Sequence, residues 1–305
     1  VSVLILIATG YDETNYDDDL HGYDDNNQPE YQSAASSNCE VIDILNSSKF
    51  CANIPSYPVS IWTGSGGIVS DVPMICGGEL YDEGYEGRTM ENSCYIFDLT
   101  SNAWKLLAKM SVARSDFASV PMSAALWVTG GSTRKGLQVA KSEDITTEFI
   151  YLNGTVLPGP DLPSPRDDHC MVTLHDNRVM ILGSDDGTTD SKSVIIYEPD
   201  TKIFSTAPSL QFDRNGAACA LFYSPLHENR PVVLAVGGYN TDTAEIYDYT
   251  HSNEWEQSKH SLNINIKQID SVHYFRVIKW TILILVRNVK VNAIGQILQT
   301  VHHTS

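Results

Sequence analysis

Apolar runs that end in glycine recur along this chain at nearly constant intervals. The run at residues 72–76 (VPMIC) leads into the first signature, and four glycine signatures follow this pattern: Gly77 with Gly78, Gly130 with Gly131, Gly183, and Gly237 with Gly238. The successive intervals are 53, 53 and 54 residues. A period of about 50 residues predicts repeated supersecondary units, because each unit needs its neighbours to bury its apolar face.

A second apolar element accompanies each repeat. Five copies align, at residues 39–44 (CEVIDI), 94–99 (CYIFDL), 148–153 (EFIYLN), 194–199 (VIIYEP) and 244–249 (AEIYDY). After each copy a polar turn leads to a large apolar residue, and these residues are Phe50, Trp104, Val156, Phe204 and Trp255. Short β-branched and aromatic runs that are joined by such turns predict β-hairpins.

A third element precedes several glycine signatures and begins with arginine, at Arg114, Arg166 and Arg214. Each period therefore holds four short strands, which predicts the blade of a β-propeller rather than a helical solenoid. The arginines recur 52 and 48 residues apart, so a ring places them near one face. They form either a binding rim or, as we favour, a set of donors to the carbonyl groups at strand ends.

The repeat resembles that of the kelch family over residues 39–257. Kelch blades carry two glycines after the second strand and an aromatic pair about seven positions apart in the next hairpin. Three pairs approach this spacing: Phe97 with Trp104, Tyr197 with Phe204 and, one residue longer, Tyr247 with Trp255. The resemblance, which is to a secreted kelch protein of invertebrate type, implies an all-β, kelch-type β-propeller, and we expect five or six four-stranded blades. Glycines would permit positive φ and aromatics would fill the space between blades.

Three positions depart from the kelch pattern. The first copy has Thr9 with Gly10 in place of two glycines, Ser184 follows Gly183 where a second glycine is expected, and Val156 stands where an aromatic residue belongs. The copies that contain residues 3–10 and 148–156 therefore match the family least well.

The two ends of the chain need separate interpretation. Residues 1–291 are expected to form a single propeller domain with a disordered acidic insertion at residues 11–31, and residues 292–305 an irregular tail. Residues 3–8 are either a second strand or the remnant of a secretory signal, since the sequence begins at Val1 and is processed, truncated or a fragment. If they are a strand, the missing strand of that blade comes from the C-terminal side. Residues 263–305 are alternatively foreign to the repeat.

The charge excludes one class of partner. The formal net charge is −18, and residues 11–31 alone carry −8. Such an acidic body repels phosphate backbones, so we expect no nucleic-acid partner. No apolar run reaches the roughly 20 residues of a membrane-spanning helix. We expect a monomer that binds a protein or an extracellular ligand of unknown identity.

The six cysteines indicate the redox compartment. Cys39 with Cys51, and Cys76 with Cys94, lie on neighbouring predicted strands, where disulfides would require an oxidising compartment. The alternative is reduced thiols packed in the core. Cys170 and Cys219 occupy matching strands of neighbouring blades and are expected to be core residues.

Two glycosylation sequons lie in predicted hairpin turns, at Asn46 and at Asn153. Together with the cysteine pairs they favour a secreted or extracellular protein, with the cytoplasm as the alternative.

No residue pattern marks a catalytic or metal centre. The sequence has no Cys-X-X-Cys pair, no assignable Ser-His-Asp set and no complete calcium-loop pattern. His169 and His175 are six positions apart, but a metal would need further ligands from other blades. Residues 184–188 (SDDGT) are interpreted as a hairpin loop rather than a sialidase-type Asp-box. We expect no cofactor.

The sequence thus predicts a non-catalytic propeller that binds a partner through the loops of one face. Two alternatives stay open: a propeller enzyme acting on sugars, similar to sialic-acid epimerases or copper oxidases, and an intracellular kelch adaptor of the ubiquitin-ligase or actin-binding type. The binding residues are not identifiable because loops vary freely while the repeat positions hold the blades together.

Overall fold

The structure is a computed structural model that describes residues 4–12, 34–43, 54–80, 89–133, 142–184, 192–238, 241, 243–257, 271–278 and 281–287. In these ranges the chain forms β-strands and a short 3-10 helix at Pro225–His227. The predicted all-β class is therefore confirmed.

The strands of the first half are β1 (Leu4–Asp12), β2 (Ala34–Asp43), β3 (Ile61–Trp62), β4 (Ser65–Val69), β5 (Val72–Cys76), β6 (Glu79–Leu80), β7 (Thr89–Met90), β8 (Ser93–Asp98), β9 (Ala103–Lys109), β10 (Ala118–Met122), β11 (Ala125–Thr129), β12 (Ser132–Thr133), β13 (Ser142–Glu143), β14 (Thr147–Tyr151) and β15 (Val156–Pro158). The strands of the second half are β16 (Cys170–Thr173), β17 (Val179–Leu182), β18 (Val194–Glu198), β19 (Ile203–Ala207), β20 (Ala218–Ser224), β21 (Arg230–Val236), β22 (Ala244–Tyr247), β23 (Glu256–Gln257), β24 (Ser271–Ile278) and β25 (Thr281–Arg287).

Four blades of four antiparallel strands follow one another along the described chain. Blade 1 is β4-β5-β8-β9, blade 2 is β10-β11-β14-β15, blade 3 is β16-β17-β18-β19, and blade 4 contains β20-β21-β22-β23. The first strands of consecutive blades contact one another, so they form the inner side of the propeller. The fourth strands are the outer edges.

The blades hold together through apolar layers between them. Trp127, Val179 and Tyr197 belong to the layer between blades 2 and 3, while Met74, Phe117 and Leu126 belong to the layer between blades 1 and 2. Strands β11 and β17 are buried at every position, because blades 2 and 3 have a neighbouring blade on each side. This explains why these strands read as continuous apolar runs. Each fully buried large aliphatic side chain contributes roughly 1.5–3 kcal/mol.

The expected number of five or six blades is wrong for the described chain, which forms four. The N-terminal strands β1 and β2 pair with each other, but their sheet continues through the two-residue strands β3, β6 and β7 rather than through a complete blade. The C-terminal strand β25 contacts β1, while the described ladders place it in the sheet of blade 4. Strand β24 pairs in parallel with β20 and extends the sheet of blade 4.

The smaller number of blades is explained by the repeat copies at the ends of the chain. A blade needs four strands to bury its faces, and within the described residues the first copy supplies two long strands. The remaining predictions for the ends, at residues 13–33 and 292–305, lie outside the described residues.

Candidate binding face

One face of the propeller carries all of the connections that leave the second strands. Because the strands alternate in direction, the described residues of the connections between second and third strands share a face with the connections between blades. The former are residues 77–80, 89–92, 130–133, 142–146, 183–184, 192–193, 237–238, 241 and 243, and the latter are residues 110–117, 159–169 and 208–217. We call this the loop face. The opposite hairpin face carries the short turns between first and second strands and between third and fourth strands.

The repeated glycines open the connections of the loop face. Gly130 has a φ of 57° and Gly131 a φ of 91°, in the left-handed region that side chains rarely adopt. The N–H of Gly130 donates to Thr146 in its own blade at 3.0 Å, whereas the N–H of Gly131 donates to the carbonyl of Arg166 in the next blade at 2.7 Å. A Cβ on Gly131 would lie 2.5 Å from the carbonyl oxygen of Ser115. The second glycine is therefore a joint between blades.

The same pattern extends along the chain. Gly77, Gly78, Gly183, Gly237 and Gly238 all have positive φ. Gly78 donates to the carbonyl of Arg114 at 2.9 Å. Ser184 makes the equivalent bond to Arg214 at 3.2 Å, and its own φ is not positive, which explains why a serine is compatible with this joint.

The three recurrent arginines are buried, and each donates a hydrogen bond to the carbonyl group of a repeat glycine. Arg114 Nη1 donates to Gly130 O at 2.6 Å and to Thr146 O at 3.0 Å. Arg214 repeats this arrangement with Gly237 O at 2.6 Å and Thr243 O at 3.0 Å. Arg166 Nη1 donates to Gly183 O at 2.9 Å. The side chains of Arg114 and Arg214 are fully buried, so they stabilise strand ends and do not form an exposed rim.

Two buried glutamates complete this network, and the sequence alignment missed them. Glu148 Oε1 accepts from Arg114 Nη2 at 3.1 Å, and Glu245 Oε1 accepts from Arg214 Nε at 2.9 Å. Each carboxylate also accepts backbone N–H groups of the preceding connection, at 2.7 Å from Ser111 and at 2.6 Å from Gln211. Burial lowers the pKa of both arginines, and the paired glutamates oppose that shift.

The glutamates were missed because the alignment of one repeat is wrong by one residue. Thr147 pairs with Thr129 just as Val194 pairs with Leu182, so the third copy begins at Thr147 rather than at Glu148. With that correction Glu148 and Glu245 occupy equivalent positions, and Ile195 replaces them in blade 3. The glutamate shared by the second positions of β14 and β22 is the sequence signal that could have identified this network.

A ladder of backbone hydrogen bonds links the blades two residues after each arginine. Asp116 N–H donates to Thr63 O at 3.1 Å, Asp168 N–H to Asp116 O at 2.7 Å, and Gly216 N–H to Asp168 O at 2.8 Å. All four residues have positive φ, between 48° and 67°. Asp and Gly tolerate this conformation better than most residues, so their recurrence at one offset from the arginines was a usable sequence signal.

The loop face presents carboxylates because its arginines are buried. Asp161 and Asp213 are exposed, whereas Asp167 and Asp168 are half-buried. Asp167 Oδ2 accepts from Ser132 Oγ at 2.6 Å, which ties blade 3 to blade 2. Lys192 Nζ lies 4.0 Å from Asp213 Oδ1 on the same face. The accessible carboxylates of the described residues nevertheless outnumber the accessible lysines on this face.

The two histidines considered as metal ligands lie in different environments. His169 is fully buried, and its Nε2 lies 2.8 Å from Thr129 Oγ1. Burial, with the nearby charges of Arg166 and Arg114, lowers the pKa of His169 to about 3. His175 is exposed on the hairpin face, with Nδ1 2.6 Å from Tyr249 Oη. They do not converge on one site, and the described residues contain no group of three or more His, Cys, Asp or Glu arranged to hold a metal ion.

The repeat aromatics lie between the blades. Phe97 with Trp104 and Tyr197 with Phe204 are direct cross-strand neighbours, with ring centroids 5.2 and 5.0 Å apart. Tyr247 and Trp255 stack at 5.1 Å. In blade 2 the equivalent neighbours are Ile150 and Val156. Trp127, which the repeat pattern did not single out, packs against Tyr197 at 4.7 Å.

Two disulfides stabilise the described blades. Cys76 and Cys94 are directly paired across β5 and β8 and form a disulfide, with Cα atoms 4.0 Å apart. Cys170 and Cys219 form a second disulfide between the first strands of blades 3 and 4, with Cα atoms 6.0 Å apart. Both cysteines are buried core residues, as expected, but the disulfide between them was not predicted. Cys39 lies in β2, and Cys51 and Asn46 lie outside the described residues.

Comparisons with known proteins agree with this architecture. No protein-family model matches the sequence. A stretch of 154 residues, half of this chain, is 28% identical to Kelch-like protein 35 of Mus musculus and spans a quarter of that protein's length. The solved structure of YjhT is similar with a TM-score of 0.55 over 76% of this chain and 74% of that chain, at 15% identity, which shows the fold alone. No helix in the described ranges is both long and apolar enough to cross a membrane. Periodic glycines, four-stranded blades and the similarity to Kelch-like protein 35 support a kelch-repeat β-propeller.

Proposed function

We propose that this propeller is a non-catalytic interaction module that binds a protein or another extracellular ligand through the loop face. One observation carries the proposal. Glycines with positive φ open the four connections between second and third strands, buried arginines hold three of them, and the sequences of these connections differ from blade to blade. A rigid base with variable loops is the usual arrangement of a binding surface.

Electrostatics define how the partner is recognised. Asp161 and Asp213 are exposed on the loop face, so we expect a partner whose contact surface carries basic residues. Binding should then weaken as the salt concentration rises, because exposed charges are screened.

We also propose an extracellular or secreted location. The disulfides Cys76–Cys94 and Cys170–Cys219 support it, because disulfides persist in oxidising compartments and are rare in the cytosol.

The test compares two variants of equal charge change. Asp161→Lys with Asp213→Lys reverses two charges on the loop face, and Asp200→Lys with Glu254→Lys reverses two exposed charges in turns of the hairpin face. Partners are captured from the extracellular fluid of the source tissue with the wild-type protein, and the affinity of a captured partner for all three proteins is measured by calorimetry.

We expect the loop-face variant to bind at least about tenfold more weakly and the hairpin-face variant to bind like the wild type. The reverse ranking would contradict the proposal. Turnover of carbohydrate substrates by the purified wild-type protein would also contradict it, in favour of a propeller enzyme.

A further inference from the structure

The turn between β14 and β15 presents an Asn-X-Thr sequence at the surface of the hairpin face. Asn153, Gly154 and Thr155 form this turn, and the side chains of Asn153 and Thr155 are exposed. Within the described residues this is the site where the chemistry of a sequon and its accessibility coincide. The turn is distant from the arginine and glutamate network, which lies at the other end of the strands.

Hydrogen bonds fix the geometry of the turn without using the acceptor atom. The N–H of Thr155 donates to Asn153 Oδ1 at 3.0 Å, and the N–H of Tyr151 donates to Thr155 O at 2.9 Å. Gly154 adopts a φ of 83°. Asn153 Nδ2 makes no hydrogen bond in the described structure. The amide nitrogen is therefore available, and its attachment to a sugar breaks no contact of the fold.

We propose that Asn153 is an N-linked glycosylation site. In the reaction, the amide nitrogen of Asn153 attacks the anomeric carbon of a lipid-pyrophosphate-linked oligosaccharide. A nitrogen–carbon bond forms, the bond from that carbon to the pyrophosphate oxygen breaks, and the amide loses one proton. The hydroxyl of Thr155 completes the acceptor sequence. This inference rests on the proposed extracellular location, which the disulfide between Cys170 and Cys219 supports independently of the sequon.

The position of the glycan has a consequence for binding. A glycan at Asn153 covers the hairpin face of blade 2, including the neighbouring strand in which Leu157 is 47% exposed. It leaves the loop face open, because the two faces lie at opposite ends of the strands. The modification would therefore disfavour partner binding at the hairpin face of blade 2.

The experiment uses the full chain expressed behind a signal sequence in eukaryotic cells, with both the cell lysate and the medium analysed. Enzymatic removal of N-glycans, followed by peptide mass spectrometry, reports glycosylation as conversion of Asn153 to Asp. We expect conversion in the wild type and in Thr155→Ser, which keeps the acceptor hydroxyl. We expect its complete loss in Asn153→Gln and Thr155→Ala, and its retention in Asn46→Gln, which alters the other sequon.

Each outcome decides the proposal separately from the proposed function. If Asn153 is unmodified in protein whose Cys170–Cys219 disulfide has formed, the glycosylation site is refuted and the binding proposal is unaffected. If Asn153 is modified but the loop-face variant binds as tightly as the wild type, the binding proposal fails and the glycosylation site stands.

Discussion

Replacing Glu245 with glutamine tests whether the buried network on the loop face stabilises the fold. Glu245 is fully buried, and its carboxylate accepts hydrogen bonds from the guanidinium of Arg214 at 2.8 and 2.9 Å and from the backbone N–H of Gln211 at 2.6 Å. Glutamine keeps the shape of the side chain but removes its charge. One of the two oxygens becomes an NH₂ group, which donates and cannot accept.

The expected decrease in the free energy of unfolding follows from these contacts. Arg214 is fully buried and stays charged, so it loses its neutralising partner, and one buried donor loses its acceptor. Breaking a buried ion pair by removing one member costs about 3–5 kcal/mol. That is a large part of the roughly 5–15 kcal/mol by which a domain is stable.

The assay is denaturant unfolding, followed by tryptophan fluorescence, with the midpoint and slope compared between variants. Glu148→Gln in blade 2 is the matched variant, because Glu148 makes the equivalent bonds to Arg114 and to Ser111. Glu254→Gln is the control, because Glu254 is exposed and should change the free energy of unfolding by less than about 0.5 kcal/mol.

A double variant separates the effect of the ion pair on stability from the effects of the two single replacements. Replacing both Arg214 and Glu245 with methionine removes the two charges together. The double variant should lose less stability than the sum of the losses of the two single variants, because no unpaired charge remains. If the free energy of unfolding of Glu245→Gln lies within about 1 kcal/mol of the wild-type value, the network is not a stabilising element and our reasoning about the loop face is refuted.

Three further predictions concern other features. Gly131→Ala should destabilise the protein by about 1–3 kcal/mol in the same unfolding assay, because its φ is 91° and the new Cβ would lie 2.5 Å from Ser115 O; an unchanged midpoint would contradict it. The native protein should titrate with no more than two free thiols, because four of its six cysteines form disulfides; six thiols would refute the extracellular assignment. Since the pKa of His169 falls from 6.5 to about 3 in the fold, the unfolded chain binds a proton that the native site excludes, and stability should decrease by about 1.4 kcal/mol per pH unit as the pH falls from 6.5 towards 3. His169→Gln should show a shallower pH dependence, and equal slopes would exclude this role for His169.

The sequence predicts the blades well because the repeat glycines are required by the local backbone conformation. At Gly130 the backbone adopts positive φ, and a Cβ there would lie 2.4 Å from the carbonyl oxygen of Arg166 in the next connection. The first glycine of each signature has positive φ, so the same requirement recurs in all four repeats. The structural role favoured for the arginines follows from the same logic, since each meets a strand-end carbonyl.

The predictions that failed depend on relations between distant segments. The disulfide between Cys170 and Cys219 joins residues 49 positions apart, and its formation depends on how two blades pack in three dimensions. The pairing of Glu148 with Arg114 was hidden because the run EFIY at residues 148–151 imitates the run AEIY at residues 244–247 in the wrong register. The predicted number of blades was wrong because the pairing of the terminal strands depends on which exposed strand edge they meet in three dimensions.

The disulfide between blades 3 and 4 also determines how the molecule responds to force. It closes a covalent loop of 49 residues that contains all of blade 3. When the chain is pulled from its two ends, this loop transmits tension through the bond between the sulfur atoms, and blade 3 cannot lengthen. Reduction would release up to about 170 Å of additional contour length, at roughly 3.3–3.6 Å per residue. Under a force that unfolds the blades, the oxidised chain therefore reaches a shorter contour length than the reduced chain.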